Sequence, residues 1–116
     1  MRTGSTVIVC LLAVGAAGAL AADRMQFWNL TANTIRELYL APAGTTQWGA
    51  NQCENDPDGS VDPDERLKLT SVTAGRYDVK LTDVKGRTCT VRGVTLQAGK
   101  PYAFSLSEFD LKDCTK

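Results

Sequence analysis

The residues of this sequence best suited to chemistry are the acidic side chains between positions 54 and 65. The segment reads Glu-Asn-Asp-Pro-Asp-Gly-Ser-Val-Asp-Pro-Asp-Glu and is named the acidic loop below. It holds six of the 13 acidic residues of the chain. Hard cations prefer oxygen ligands, and carboxylates on alternate residues converge on one point when the chain curls. The acidic loop is therefore a candidate cation site.

The spacing within the acidic loop follows the calcium-loop pattern of EF-hands, D-x-[DN]-x-[DN]-G-x5-E. The sixth position is Gly59, which permits a sharp turn because glycine adopts positive φ without strain. The first position departs from the pattern, since Glu54 is one methylene longer than the expected Asp. The predicted metal ligands are Glu54, Asp56, Asp58, Ser60 through its main-chain carbonyl, Asp62 and Glu65.

The charge of this ligand set favours a trivalent ion. Two carboxylates about 4 Å apart repel by roughly 1–4 kcal/mol, so the loop is expected to stay open without a cation. Of the five negative charges, a divalent ion leaves three uncompensated and a trivalent ion leaves two. We therefore expect a trivalent hard cation to be favoured more than in an ordinary calcium loop.

A second interpretation of the acidic loop needs no metal. Residues 56–59 (Asp-Pro-Asp-Gly) and 62–65 (Asp-Pro-Asp-Glu) are also good turn sequences. The flanking segments have the pattern of strands and not of the helices that flank an EF-hand loop. The alternative is a non-catalytic structural or protein-interaction β module whose acidic loop is a solvated turn.

The start of the chain predicts export. Residues 1–21 have the three parts of a cleavable signal peptide: Arg2 is positive, residues 7–14 are apolar, and residues 19–21 read Ala-Leu-Ala. The short, alanine-rich signal is typical of bacteria, so we expect a periplasmic protein. Residues 22–116 then form one domain, because a chain of this size buries a single modest core.

Composition argues against several functions. The chain has 13 Lys and Arg against 13 Asp and Glu, which gives no basic excess for nucleic acid or an anionic membrane. It has no His, the commonest general base. No nucleophile motif such as G-x-S-x-G is present. We predict that the protein is not an enzyme and has no catalytic residues.

Alternation of apolar and polar residues predicts an all-β fold. The clearest strand is 76–83, in which Tyr77, Val79 and Leu81 point to one face. The runs 25–31 and 35–41 are predicted to form a hairpin. Six to seven short strands with frequent turns indicate a small antiparallel, Ig-like β-sandwich. Ser107 is expected to cap one helical turn before the chain returns to the sheet.

Three cysteines follow the predicted signal peptide. In an oxidising compartment two of them should pair, and we favour Cys89 with Cys114. Cys53 is then left over, either buried or joining two chains into a homodimer. The aromatic residues are expected to belong to the core, but a Trp48 side chain against the acidic loop would report metal binding by its fluorescence.

The acidic loop resembles the loops of lanmodulin, a periplasmic lanthanide-binding protein of methylotrophic bacteria. The shared features are Asp at the ninth position, here Asp62, and prolines inside the loop. Lanmodulin has its proline at the second position, whereas Pro57 and Pro63 lie at the fourth and tenth. The similarity covers these twelve residues only.

The rest of the chain resembles a family of small exported β proteins from alphaproteobacteria. The similar segments are 34–39 (TIRELY), 48–51 (WGAN), 75–81 (GRYDVKL) and 83–89 (DVKGRTC). The combination of export signal, β scaffold and acidic loop is similar to the landiscernin-like periplasmic lanthanide-binding proteins. The resemblance implies lanthanide(III) as the bound ion, with Ca²⁺ as the alternative. A periplasmic protein partner and a homodimer are both open, and the sequence does not identify a delivery partner.

Overall fold

The computed structural model describes residues 25–116, so the predicted signal peptide lies outside the described residues. Seven strands and two short 3₁₀ helices make up the fold. The strands are β1 (Gln26–Leu30), β2 (Ile35–Pro42), β3 (Arg66–Lys68), β4 (Gly75–Asp83), β5 (Thr88–Leu96), β6 (Phe104–Ser107) and β7 (Asp113–Thr115). The helices are η1 (Gln52–Asn55) and η2 (Glu108–Asp110).

The strands form two sheets, with orders β3-β1-β6 and β2-β4-β5-β7. Buried apolar side chains from both sheets form one core, with Phe27 and Leu106 from the first sheet and Leu38 and Leu81 from the second. The predicted small all-β sandwich is confirmed. One pair, β1 with β6, is parallel, and the other strand pairs are antiparallel.

The predicted hairpin between residues 25–31 and 35–41 is wrong. β1 pairs with β3 and β6, whereas β2 pairs with β4, so the two runs lie in different sheets. Alternation assigns the buried face of a strand but not its partner. Residues 31–34 therefore cross from one sheet to the other and do not turn back within one.

β4 follows its predicted pattern and contains a bulge. Val79 and Leu81 are fully buried, and Tyr77 packs against the core. The pairing of β4 with β5 shifts register where Asp78 lies opposite Arg92 and Gly93. Gly93 has φ +68° and donates its N–H to Asp78, as a glycine in a β-bulge can.

A buried carboxylate joins three connections at one end of the sandwich. Asp83, 1% exposed, accepts hydrogen bonds from Asn33 Nδ2 and Arg87 Nε. Arg87 also forms a bidentate pair with Glu108, both bonds 3.0 Å long. Glu108 in turn accepts the Ala32 N–H at 2.9 Å. The loop between β1 and β2, the turn between β4 and β5, and η2 are thereby held together.

The predicted disulfide is confirmed. Cys89 and Cys114 are bonded and lie opposite each other on β5 and β7. The predicted helical turn is η2, which begins after Ser107 and brings Cys114 back to the sheet. Cys53 is fully buried with its Sγ 3.6 Å from the Ile35 carbonyl oxygen, and burial raises the pKa of its thiol to about 12. Of the two alternatives for Cys53, the structure shows the buried thiol.

Replacing both Cys89 and Cys114 with Ser is expected to lower the free energy of unfolding by about 3 kcal/mol. The disulfide closes a 25-residue separation, and removing it restores loop entropy to the unfolded chain. Urea unfolding of the double variant measures the loss. A change of less than about 1 kcal/mol would contradict this account.

The stability is expected to fall in acid through Asp83 and Glu108. Burial alone would raise the pKa of Asp83, but hydrogen bonds from Arg87 and Asn33 lower it below its ordinary value. The Arg87 side chain and the Ala32 N–H lower the pKa of Glu108. Their stabilisation is present above the unfolded pKa of about 4 and is lost as pH falls through the folded value.

Urea unfolding at pH steps from 7 to 2 measures this dependence. Glu108→Gln keeps the shape of the side chain but cannot titrate, so its stability should fall less steeply below pH 5 than that of the wild type. Parallel curves for the two proteins would rule out a contribution of Glu108.

Candidate metal site

The acidic loop starts on an anchored helix. Asn51 caps η1 by accepting the Cys53 N–H and also accepts the Leu38 N–H of β2, both at 3.0 Å. The buried Gln52 side chain donates from Nε2 to the Thr70 carbonyl and accepts the Thr70 N–H at Oε1, both at 3.0 Å. These contacts fix η1 against both sheets, so the exposed Glu54 projects from a rigid position.

The first half of the acidic loop is a tight turn. The Asp56 carboxylate accepts the Asp58 N–H at 2.8 Å, and the Gly59 N–H donates to the Asp56 carbonyl at 3.0 Å. Gly59 has φ +72°, which supports the sharp turn expected at this position. Asp56 and Asp58 thus lie on one turn, with Asp58 exposed to solvent.

The middle of the acidic loop is pinned to the core at Val61. Val61 is 2% exposed and exchanges two main-chain hydrogen bonds of 2.9 Å with Ile35. The Val61 carbonyl also accepts Nδ2 of Asn29 at 3.0 Å. Asn29 is fully buried, and its amide oxygen accepts both the N–H and the hydroxyl of Thr31. Every polar atom of the Asn29 side chain is therefore satisfied.

The second half of the acidic loop is another turn. Glu65 N–H donates to the Asp62 carbonyl at 3.0 Å, and the Glu65 carboxylate accepts the Asp62 N–H at 2.9 Å. The Asp62 carboxylate accepts the Thr34 hydroxyl at 2.8 Å. Asp64 has φ +69° and accepts the indole N–H of Trp28 at 3.1 Å.

The structure places the predicted ligands on separate units. Asp56 and Asp58 share the first turn, Asp62 and Glu65 share the second, Glu54 is on η1, and Ser60 lies between the turns. Within residues 25–116, no group of three or more His, Cys, Asp or Glu side chains is arranged to hold a metal ion. The spacing of an EF-hand loop is present, but within the described residues its converged geometry is not.

The negative charge of the acidic loop has no basic partner among residues 25–116. The ion pairs found there join Arg87 to Asp83 and Glu108, and Arg92 to Asp78. Arg66 follows the loop directly but lies over the Trp28 and Tyr102 rings, 4.8 and 5.6 Å from their centroids. Within this part of the chain the carboxylates of the acidic loop therefore have no ion pair that neutralises them.

Trp28, and not Trp48, lies against the acidic loop. Trp48 is half-buried beside Lys80, whose Nζ is 4.7 Å from its ring. The expectation that the aromatic residues belong to the core holds for the fully buried Phe27 but not for Trp48. The indole of Trp28, bonded to Asp64, is the side chain whose fluorescence would respond to a change in the loop.

Asn29 and Trp28 were missed as site residues by sequence reasoning. The alternation of β1 correctly places Trp28 on the outward face and Asn29 on the inward face. In a sequence, however, a polar Asn at an inward position suggests a break in the apolar core and not a functional residue. A buried Asn needs several hydrogen-bond partners, and that requirement is the signal that would have marked it.

Comparisons with known proteins find no relative: no protein-family model, no curated protein and no solved structure matches this chain. Within residues 25–116, neither of the short helices has the length and apolar character needed to cross a membrane.

Replacing Asn29 with Leu is expected to loosen the acidic loop. The variant leaves the Val61 carbonyl and the Thr31 hydroxyl without their buried partner, at a cost of about 3 kcal/mol in the free energy of unfolding. Hydrogen exchange at the Val61 amide should also become faster.

Urea unfolding and amide exchange measure the two effects, with Thr73→Ala as an exposed control that should change neither. If Asn29→Leu keeps the wild-type stability and exchange rate, Asn29 does not anchor the loop.

Proposed function

We propose that this protein is a periplasmic metal-binding protein that captures a hard cation through the acidic loop. Lanthanide(III) is the preferred ion and Ca²⁺ the alternative. The observation that carries the proposal is a run of six acidic residues in twelve, on a backbone fixed at η1 and Val61, with no ion pair to a basic side chain within residues 25–116.

Binding requires the two turns of the acidic loop to close around Ser60. The bonds that must break are local and exposed: the Asp56 carboxylate to the Asp58 N–H, and the Glu65 carboxylate to the Asp62 N–H. Each contributes about 1 kcal/mol, less than the attraction between a carboxylate and a multivalent cation in direct contact. The anchor at Val61 stays in place and supplies the point about which both turns move.

The preference for a trivalent ion follows from charge. The five proposed carboxylate ligands would put five negative charges around one ion, and no Lys or Arg within residues 25–116 pairs with them. A trivalent ion compensates three of the five, whereas Ca²⁺ compensates two. Hard trivalent and divalent ions share the same oxygen ligands, so charge is the factor that separates them here.

The periplasmic location is supported by the chain's start and by its disulfide. Residues 1–21 have the pattern of a signal peptide. The Cys89–Cys114 bond is of the kind that persists in oxidising compartments such as the periplasm. With the resemblances of its loop and scaffold, we propose that the protein is landiscernin-like and serves in binding, buffering or delivery without catalysis.

One observation favours a second candidate function. Both turns of the acidic loop are ordered by their own carboxylates, as in a solvated turn that binds nothing. Under this alternative the protein is a non-catalytic structural or protein-interaction module. Removing loop charge then has no effect on any metal affinity.

A titration of the metal-free mature protein with La³⁺ and, separately, with Ca²⁺ tests the proposal. Trp28 fluorescence and calorimetry follow binding, and we expect saturation by La³⁺ at far lower concentration than by Ca²⁺. The variant Asp58→Asn with Glu65→Gln should bind La³⁺ about 100-fold more weakly, because two charged ligands are lost. Trp28→Phe should abolish the fluorescence change and keep the heat of binding.

The matched control is Asp113→Asn with Glu37→Gln, which removes the same charge outside the acidic loop. It should keep the wild-type affinity for La³⁺. No response to either ion at micromolar protein would contradict metal binding. Equal affinities of the two double variants would place the ion elsewhere.

A further inference from the structure

We propose that the apolar triad, defined as Leu30, Val84 and Phe109, is the docking surface for a basic and apolar segment of a partner protein. These are the large hydrophobic side chains exposed among residues 25–116, with exposed fractions of 40%, 54% and 88%. Exposed apolar side chains are ordinary when scattered singly, but gathered on one surface they mark interaction sites.

All three residues of the apolar triad lie at the same end of the sandwich. Leu30 is the last residue of β1, Val84 follows the end of β4, and Phe109 lies in η2 directly after β6. β1 runs parallel to β6, so both strands deliver their last residues to one end. β2 begins at Ile35, beside the end of β1, and Ile35 pairs with Asp83 at the end of β4. The β4–β5 turn, which begins with Val84, therefore lies at the same end.

The backbone that carries the apolar triad is rigid. Glu108, the neighbour of Phe109, binds Arg87 and the Ala32 N–H. The Val84 N–H donates to the Thr34 carbonyl at 2.9 Å. The hydrogen bonds of the neighbouring residues therefore keep the Phe109 side chain exposed to solvent. A surface ordered in advance loses less conformational freedom when a partner binds.

The charge around the apolar triad determines the partner's chemistry. The second turn of the acidic loop joins the same end, because Asp62 binds the Thr34 hydroxyl and Asp64 N–H donates to the Asn29 carbonyl at 2.6 Å. Asp110 follows Phe109 directly and is exposed. Three bases share this end: Lys85 and Arg87 in the β4–β5 turn, and Lys116, which follows β7 where Thr115 pairs with Thr88. Arg87 is paired with Asp83 and Glu108, and the acids Asp62, Asp64 and Asp110 outnumber the two lysines.

A partner with exposed Lys or Arg beside an apolar side chain complements this surface in both charge and polarity. A second copy of the chain fits less well, because a two-fold contact through the triad would bring two acidic borders together. None of the three side chains is a proposed metal ligand, but Asp62 beside them is one, so the test is made without metal.

The test uses a displayed library of random 12-residue peptides, selected on the oxidised mature protein in the presence of a chelator. Peptides that also bind Phe109→Ser with Val84→Thr are removed by counter-selection. We expect enrichment of peptides that carry net positive charge and an aromatic or aliphatic residue. Synthetic copies should bind the double variant at least about tenfold more weakly and should weaken as salt rises.

Ala98→Ser, an exposed change in the connection between β5 and β6 at the opposite end, is the control and should keep peptide affinity. Thermal unfolding verifies that the variants fold; if the double variant does not, Phe109→Ser alone gives the same comparison. The inference is overturned by a selection without enrichment, by peptides of no basic character, or by equal binding to the variant. Sedimentation that shows a Phe109-dependent dimer would also overturn it in favour of a second copy.

Discussion

The two hydrogen bonds between Val61 and Ile35 are the constraint on which the acidic loop depends. They hold the middle of an otherwise solvent-exposed segment against the first residue of β2. At this junction the buried side-chain amide of Asn29, on β1 of the other sheet, donates to the Val61 carbonyl. A loop fixed at its midpoint has two short halves, and each half folds into a turn with its own pair of carboxylates. The loop is thus ordered as two turns, one on each side of this anchor.

The same junction controls the electrostatics of one end of the molecule. The Asn29 carbonyl accepts the Asp64 N–H, and the Asn29 N–H donates to the Glu65 carbonyl. The Thr34 hydroxyl donates to the Asp62 carboxylate. Acidic side chains therefore gather where the strands of both sheets end. Nearby, Asp83 and Glu108 are neutralised by Arg87. The acidic loop has no such partner within residues 25–116. That charge is the basis of both the proposed cation site and the proposed basic partner of the apolar triad.

The sequence predicted the parts of the fold that depend on local pattern. Alternation gave the strands and the inward face of β4, and the predicted disulfide is the bond between Cys89 and Cys114. The pairing of β1 was not predictable, since its partners lie about 40 and 80 residues away and alternation carries no information about distance along the chain. Ligand spacing likewise gave the residue types of the candidate site but not its shape, because each turn is closed by its own local hydrogen bonds.

In the proposed binding mode, a trivalent cation draws the two turns of the acidic loop together around Ser60. Amide NMR spectra of the mature protein with Gd³⁺, compared with spectra with diamagnetic La³⁺, test this mode. We expect paramagnetic broadening that is centred on residues 54–65, fades with distance across Ile35 and Asn29, and is competed away by La³⁺. Broadening centred elsewhere, or spread evenly over the exposed acids, would contradict it.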